Sequence, residues 1–154
     1  MDLMLEKQRK IIGKAIRTTN QNGQSIQDQS AHWQSFFEEQ TRDKIPGKIN
    51  PEEILGVYTD FESDFMGPYT FIASYEVADD HNIPEGLVSV TISSGNYTVF
   101  GNDEKMPLPE KVGAIWKDIW KSGINRNYQT DFEVYHSGTM ASDNPEVNIY
   151  IGIK

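Results

Sequence analysis

Apolar and β-branched positions fall into short runs separated by polar or Gly/Pro-containing breaks, with two longer stretches at helical spacing. Residues 10–17, carrying Ile11, Ile12, Ala15 and Ile16, read as a strand that ends in the polar cluster 18–23. Over residues 25–41 the set Ile26, Trp33, Phe36 and Phe37 recurs with helical period, and Pro46-Gly47 punctuates its end. Two runs of β-formers, 54–59 and 69–77, then predict an antiparallel pair separated by residues 61–68, which contain Gly67-Pro68. A polar connector, 78–85, with Asp79, Asp80 and Pro84, resets the chain.

After the connector the order begins again. Strand material spans 86–100 with a break at 93–96, a helix is predicted over 109–121, and strands follow at 132–135 and 147–153. The second helix repeats the first, since Trp116, Ile119 and Trp120 have the spacing of Trp33, Phe36 and Phe37. Phe132-Glu133-Val134-Tyr135 likewise repeats Leu55-Gly56-Val57-Tyr58. The expectation is one α+β domain over 1–154, made of duplicated β-α-β-β halves, 1–78 and 85–154, related by a pseudo-twofold. Each half supplies an antiparallel sheet and one helix, and a ligand groove is expected where two sheets meet. Trp33, Phe36, Phe37, Ile119 and Trp120 are expected in the core.

Charge narrows the choice of partner. Fourteen Lys and Arg against 23 Asp and Glu give a net charge of −9, which opposes direct binding to nucleic acid or to an anionic membrane and favours cationic ligands or basic protein partners. There is no cysteine, so thiolate metal sites, cysteine nucleophiles and disulfides are excluded. No apolar run approaches the roughly 20 residues of a membrane span, and the N-terminus lacks the basic and apolar regions of a signal peptide. A cytoplasmic location is expected.

The chemistry-bearing residues concentrate on the penultimate strand. Alternation over 131–136 puts Asp131, Glu133 and Tyr135 on one face and Phe132, Val134 and His136 on the other. By the repeat, Gly56 and Tyr58 take the matching places in the first half, so one carboxylate is flanked by two tyrosines. Such a group suits a cationic or amphipathic organic ligand, the rings giving apolar area and cation–π attraction and the carboxylate giving charge. Trp116 is the helical residue expected to reach the same groove. The candidate ligand-binding set is therefore Glu133, Tyr135, Tyr58 and Trp116. His32, His81 and His136 show no metal-ligand spacing; His32 is expected on a helix surface, His81 in a loop and His136 at a strand end. Serine-triad, phosphate-loop and dinucleotide motifs are absent, and no catalytic residue, metal or cofactor is assigned.

Several short motifs in one order carry a resemblance: Ile11-Ile12-Gly13 followed by Arg17-Thr18-Thr19-Asn20, Trp33-x-x-Phe36, Gly56-Val57-Tyr58, Pro84-x-Gly86, Gly95-Asn96-Tyr97, Trp116-x-x-Ile119-Trp120, Asp131-Phe132-Glu133-Val134-Tyr135 and Ile149-Tyr150-Ile151. Together they resemble the GyrI-like effector-binding family over nearly the whole chain. The resemblance implies a duplicated β-α-β-β fold and a role as the ligand sensor of bacterial multidrug-responsive transcription activators, or as a stand-alone binding protein. It also implies that Glu133 occupies the position of an acidic residue that meets cationic drugs in family members. No room remains in these residues for a helix-turn-helix, so an operator-binding role is expected to need a separate partner.

Two other readings stay open at this stage. Some members of the family hydrolyse reactive small molecules, and a Glu beside a Tyr in an apolar groove could act as a general base toward water. Relatives also include an inhibitor of DNA gyrase, so an acidic surface that engages a basic protein is the third class.

Overall fold

The computed structural model describes residues 1–64 and 66–154; Phe65, inside the segment 61–68 predicted to separate the strands 54–59 and 69–77, lies outside them. In chain order the elements are β1 (Asp2–Leu5), β2 (Arg9–Thr18), α1 (Gln24–Glu38), α2 (Thr41–Lys44), β3 (Glu53–Thr59) and β4 (Tyr69–Val77), followed by β5 (Val88–Ile92), β6 (Gly95–Phe100), α3 (Leu108–Ser122), β7 (Asp131–His136) and β8 (Val147–Gly152). All strands join one antiparallel sheet in the order β1-β6-β8-β7-β3-β4-β2-β5.

The two halves do not meet as separate sheets, contrary to expectation. β3 and β7 pair edge to edge, with Gly56 opposite Glu133 and Tyr58 opposite Asp131. The reason lies in their composition: nearly every residue of both strands is buried, on both faces, so neither could serve as a solvated sheet edge. Pairing satisfies the backbone donors and acceptors that burial would otherwise strand.

Outward from this central pair, the order is β4-β2-β5 on one side and β8-β6-β1 on the other. The two sides match strand for strand in this order. Each half also lends a strand: β1 precedes β2 but pairs with β6, and β5 precedes β6 but pairs with β2. β1 was absent from the sequence expectation because four residues at a sheet edge, mostly exposed, carry little periodic signal. The break before β6 is also shorter than predicted, since Gly95 and Asn96 already belong to that strand.

Strand alternation sorts the core into two clusters. One face carries Ile12, Tyr58, Tyr69, Phe71, Tyr75, Tyr135 and Ile149, and the helices pack there through Phe36, Ile115 and Ile119. The opposite face carries Ile11, Leu55, Val57, Ile72, Phe132 and Val134. On that second face the Arg9 guanidinium of β2 lies 5.8 Å from the Phe132 ring of β7, although β3 and β4 intervene in the sheet. The sheet therefore curls toward this side, as twisted open sheets do.

In α3, Pro109 lies in the first turn, where a missing N–H costs nothing, and Gly123 closes the helix at φ 69°, a left-handed value that glycine adopts without strain. The aromatic repeat on the helices divides differently from expectation. Phe36 and Ile119 are buried, Trp33 is half-buried, but Phe37 and Trp120 are 48% and 52% exposed. Each exposed ring directly follows a buried residue, and a step of one residue turns about 100° around a helix, which carries the next side chain off the core stripe. His32 is corrected in the opposite sense: it is 5% exposed, with Nε2 2.7 Å from the Lys14 carbonyl oxygen and its ring edge-on to Phe71. A polar ring with one hydrogen-bond partner can be buried between helix and sheet, and burial lowers its basicity.

Candidate functional site

β7 presents Glu133 to the helix-covered face of the sheet. The side chain is 1% exposed, and its carboxylate is held by three ring donors. Oε2 accepts the hydroxyl of Tyr58 at 2.8 Å and the indole Nε1–H of Trp116 at 2.8 Å, while Oε1 accepts the hydroxyl of Tyr135 at 2.6 Å. The structure thus brings together all four residues singled out in the sequence. Tyr135 follows from strand alternation and Tyr58 from the β3–β7 pairing, while Trp116 descends from α3 with its ring centroid 5.2 Å from that of Tyr58.

Backbone register makes the space. An ideal Cβ at position 56 would lie 2.8 Å from Glu133 Oε1 and 3.1 Å from the Phe71 ring. The carboxylate therefore occupies volume that any other residue on β3 would claim.

Electrostatically the site is unusual. Among the described residues no Lys, Arg or His forms an ion pair with Glu133. Burial pushes its carboxyl above the ordinary value, and the hydrogen bonds from Tyr135, Trp116 and Tyr58 pull the other way. Burial beside this carboxylate also holds the hydroxyls of Tyr58 and Tyr135 well above the ordinary phenol value, so both rings remain donors. Outer rings complete the enclosure: Trp33 stands 5.4 Å from Tyr135, and Phe71 stands 5.0 Å from Tyr58.

Two cavities flank this cluster in the cleft between α1 and α3. The larger, about 400 Å³, is walled by Trp33, Phe37, Ile54, Leu108, Tyr135 and Met140, among others, with no charged residue in its lining. The smaller, about 250 Å³, reaches Tyr58, Tyr69, Trp116, Trp120, Lys117 and Arg126. Ile26, Gln29 and Val112 border both. Phe37 and Trp120, misplaced in the core by sequence reasoning, are thus walls of the cleft. The loop carrying Met140 is tied to α3 by buried Lys111, whose Nζ donates to Asn144 Oδ1 at 2.5 Å and to the Pro145 carbonyl at 2.9 Å.

Two residues here escaped the sequence reading. Gln29 bridges helix and sheet, donating through Nε2 to the Tyr69 hydroxyl at 3.1 Å, with its Oε1 3.3 Å from the Tyr58 hydroxyl, whose one proton is directed at Glu133 in the shorter contact. Arg126, in the polar segment before β7, donates from Nη2 to Asp131 at 2.6 Å and lies 4.4 Å from the Tyr128 ring. Neither shows a spacing signal, because one sits on a polar helix position and the other in a loop.

The sequence profile of an integron-associated effector binding protein family, Cass2, matches residues 4–153. The chain belongs to this effector-binding family. Effector binding as the general activity, expected from the resemblance, follows from that membership. Among relatives, YobU of Bacillus subtilis (strain 168), named as a transcriptional regulator, is 26% identical over 127 residues, covering 80% of this chain and 78% of that protein. The transcriptional regulator BrlR of Pseudomonas aeruginosa PAO1 is 26% identical over 125 residues; the match covers 79% of this chain but 44% of BrlR. The same fold occurs in an integron cassette protein, VCH_CASS2, from the mobile metagenome of Vibrio cholerae, with TM-score 0.69, 22% identity and coverage of 100% of this chain and 95% of that one. It occurs also in SAV2435, solved with tetraphenylphosphonium, with TM-score 0.78, 21% identity and coverage of 100% and 93%. Among the described residues no helix is long and apolar enough to cross a membrane.

Proposed function

We propose that this effector-binding chain captures a lipophilic organic cation in the cleft between α1 and α3, with Glu133 as counter-ion and Tyr58, Tyr135 and Trp116 as walls. The observation that carries the reading is the buried carboxylate of Glu133, supported only by neutral donors and without a cationic partner among the described residues. A buried charge without a counter-ion is costly, and a lipophilic cation would supply the missing charge without the dehydration cost of an ammonium group. Tetraphenylphosphonium, bound by the structurally similar SAV2435, has this chemistry. The outcome is sensing or sequestration of such compounds in the cytoplasm by a single domain. A link to transcription is suggested by the names of YobU and BrlR.

The test compares tetraphenylphosphonium with tetraphenylborate, an anion of the same shape, by calorimetry on wild type and Glu133→Gln. The wild type is expected to favour the cation, and the variant to lose roughly tenfold or more in cation affinity while its affinity for the anion does not fall. Equal affinities for the two ions in the wild type would remove the counter-ion role.

A further inference from the structure

The smaller cavity differs from the larger in one respect that its size does not explain. In a chain of net charge −9, it gathers two cations, Arg126 and Lys117, whereas the larger cavity has no charged group in its lining. Arg126 is 8% exposed, and its guanidinium is fixed at one end by Asp131 and along its face by the Tyr128 ring. Its Nε–H is buried and has no acceptor among the described residues. Asp131 already accepts the backbone N–H of Gly152 at 2.9 Å and Nη2 of Arg126, and the Nε–H is shut within the packing, so it is the rest of the guanidinium that borders the cavity.

We infer that the smaller cavity is a second subsite, which takes a carboxylate or similar oxyanion of the ligand, received by Arg126 and Lys117. Arginine is suited to this role because its planar fork of donors can hold one carboxylate while a second approaches from another edge. Lys117, exposed on α3, adds a second positive charge to the lining. Aromatic walls from Trp116, Trp120 and Phe61 fit a ring attached to the anionic group.

Tyr58 and Trp116 both line this cavity and donate to Glu133, so the subsite adjoins the buried carboxylate through those two rings. The ligand best matched to the whole cleft is then an aromatic zwitterion, its cation toward Glu133 and its oxyanion toward Arg126. Only the cationic end of this inference rests on the function proposed above.

Two probe sets separate the subsites. Butyltriphenylphosphonium and (4-carboxybutyl)triphenylphosphonium differ by one carboxylate, and 2-naphthoate carries an oxyanion with no cation. In wild type the carboxylate compound is expected to bind about fivefold or more tighter than the butyl compound, and 2-naphthoate to bind measurably. Arg126→Lys keeps a positive charge beside Asp131 but replaces the planar fork of donors by a single ammonium, and Lys117→Ala changes an exposed side chain. In both variants the ratio between the two phosphonium compounds should fall toward one and 2-naphthoate binding should weaken. Naphthoate binding without phosphonium binding would uphold the anionic subsite and overturn the Glu133 reading. Phosphonium binding with no gain from the carboxylate, and no naphthoate binding, would overturn the subsite.

Discussion

Gly56 and Glu133 are partners across the β3–β7 pairing, and the hydrogen in place of a side chain at position 56 is what lets the carboxylate lie over the sheet. A Cβ there would stand 2.8 Å from Oε1, closer than real Cβ contacts allow, with the Phe71 ring at 3.1 Å closing the other side. Gly56→Ala must therefore displace either Glu133 or Phe71, both of which are buried. The substitution is expected to destabilise the fold by about 1–3 kcal/mol, the usual range for overpacking a filled core. Urea unfolding measures it. A loss below about 0.5 kcal/mol would mean that the carboxylate has another place to go.

Glu133 also makes stability depend on pH in a direction opposite to that of a salt-bridged carboxylate. Its pKa is raised in the folded state by burial, so between the ordinary carboxylate value and the raised one the folded chain holds a proton that the unfolded chain has released. Stability from this group is complete below the ordinary value and declines as pH rises through the folded pKa. Asp131, also raised by burial, works in the same direction, so the comparison must be made by difference. Glu133→Gln, which cannot ionise, should match the wild type at acid pH and gain relative to it as pH rises toward neutrality. Thermal unfolding across pH checks this, and a constant offset between the two proteins would contradict it.

The proposed counter-ion role adds a second pH dependence of the opposite sign. A phosphonium cation keeps its charge at all pH values, so any change in its affinity reports the protein. Below the raised pKa of Glu133 the carboxyl is neutral and must release its proton to pair with the cation; above it no proton moves. Affinity for tetraphenylphosphonium is expected to climb with pH through that value and then level off. Calorimetry in two buffers of different ionisation enthalpy should show proton release at acid pH that vanishes at higher pH, and Glu133→Gln should abolish it.

Much of this site could be read from the order of residues, and the reason is geometric. Period-two alternation places Glu133 and Tyr135 on one face whatever the strand's neighbours, and the internal likeness of 55–58 to 132–135 added Tyr58 and Gly56. Register between strands has no comparable signal, so the opposition of Gly56 to Glu133, and the merging of two expected sheets into one, appear only in the fold. Helical faces were legible to within one residue: Phe36 was rightly assigned inward, whereas Phe37 and Trp120 wall the cleft. His32 is expected on a helix surface, but its depth follows from a backbone carbonyl on β2 that no local pattern reveals. Arg126 stood outside every pattern, since loop residues acquire their partners from tertiary structure.

That arginine sets the last expectation. The Arg126–Asp131 pair is closed at 2.6 Å, with the two side chains 8% and 0% exposed, and Asp131 also fixes the backbone of Gly152 on β8. Burial raises the Asp131 carboxyl while Arg126 pulls it back, so the pair is held by close contact and not by a surplus of charge stabilisation. Removing only the anion leaves a buried guanidinium with no counter-ion and an unpaired backbone N–H. Asp131→Ala is expected to cost about 3–5 kcal/mol, whereas Arg126→Met with Asp131→Leu, which removes both charges, should cost less than Asp131→Ala alone. Chemical denaturation of both variants decides the matter. Equal losses would mean that the packing of residues 126–131, and not the ion pair, holds this end of β7 in place.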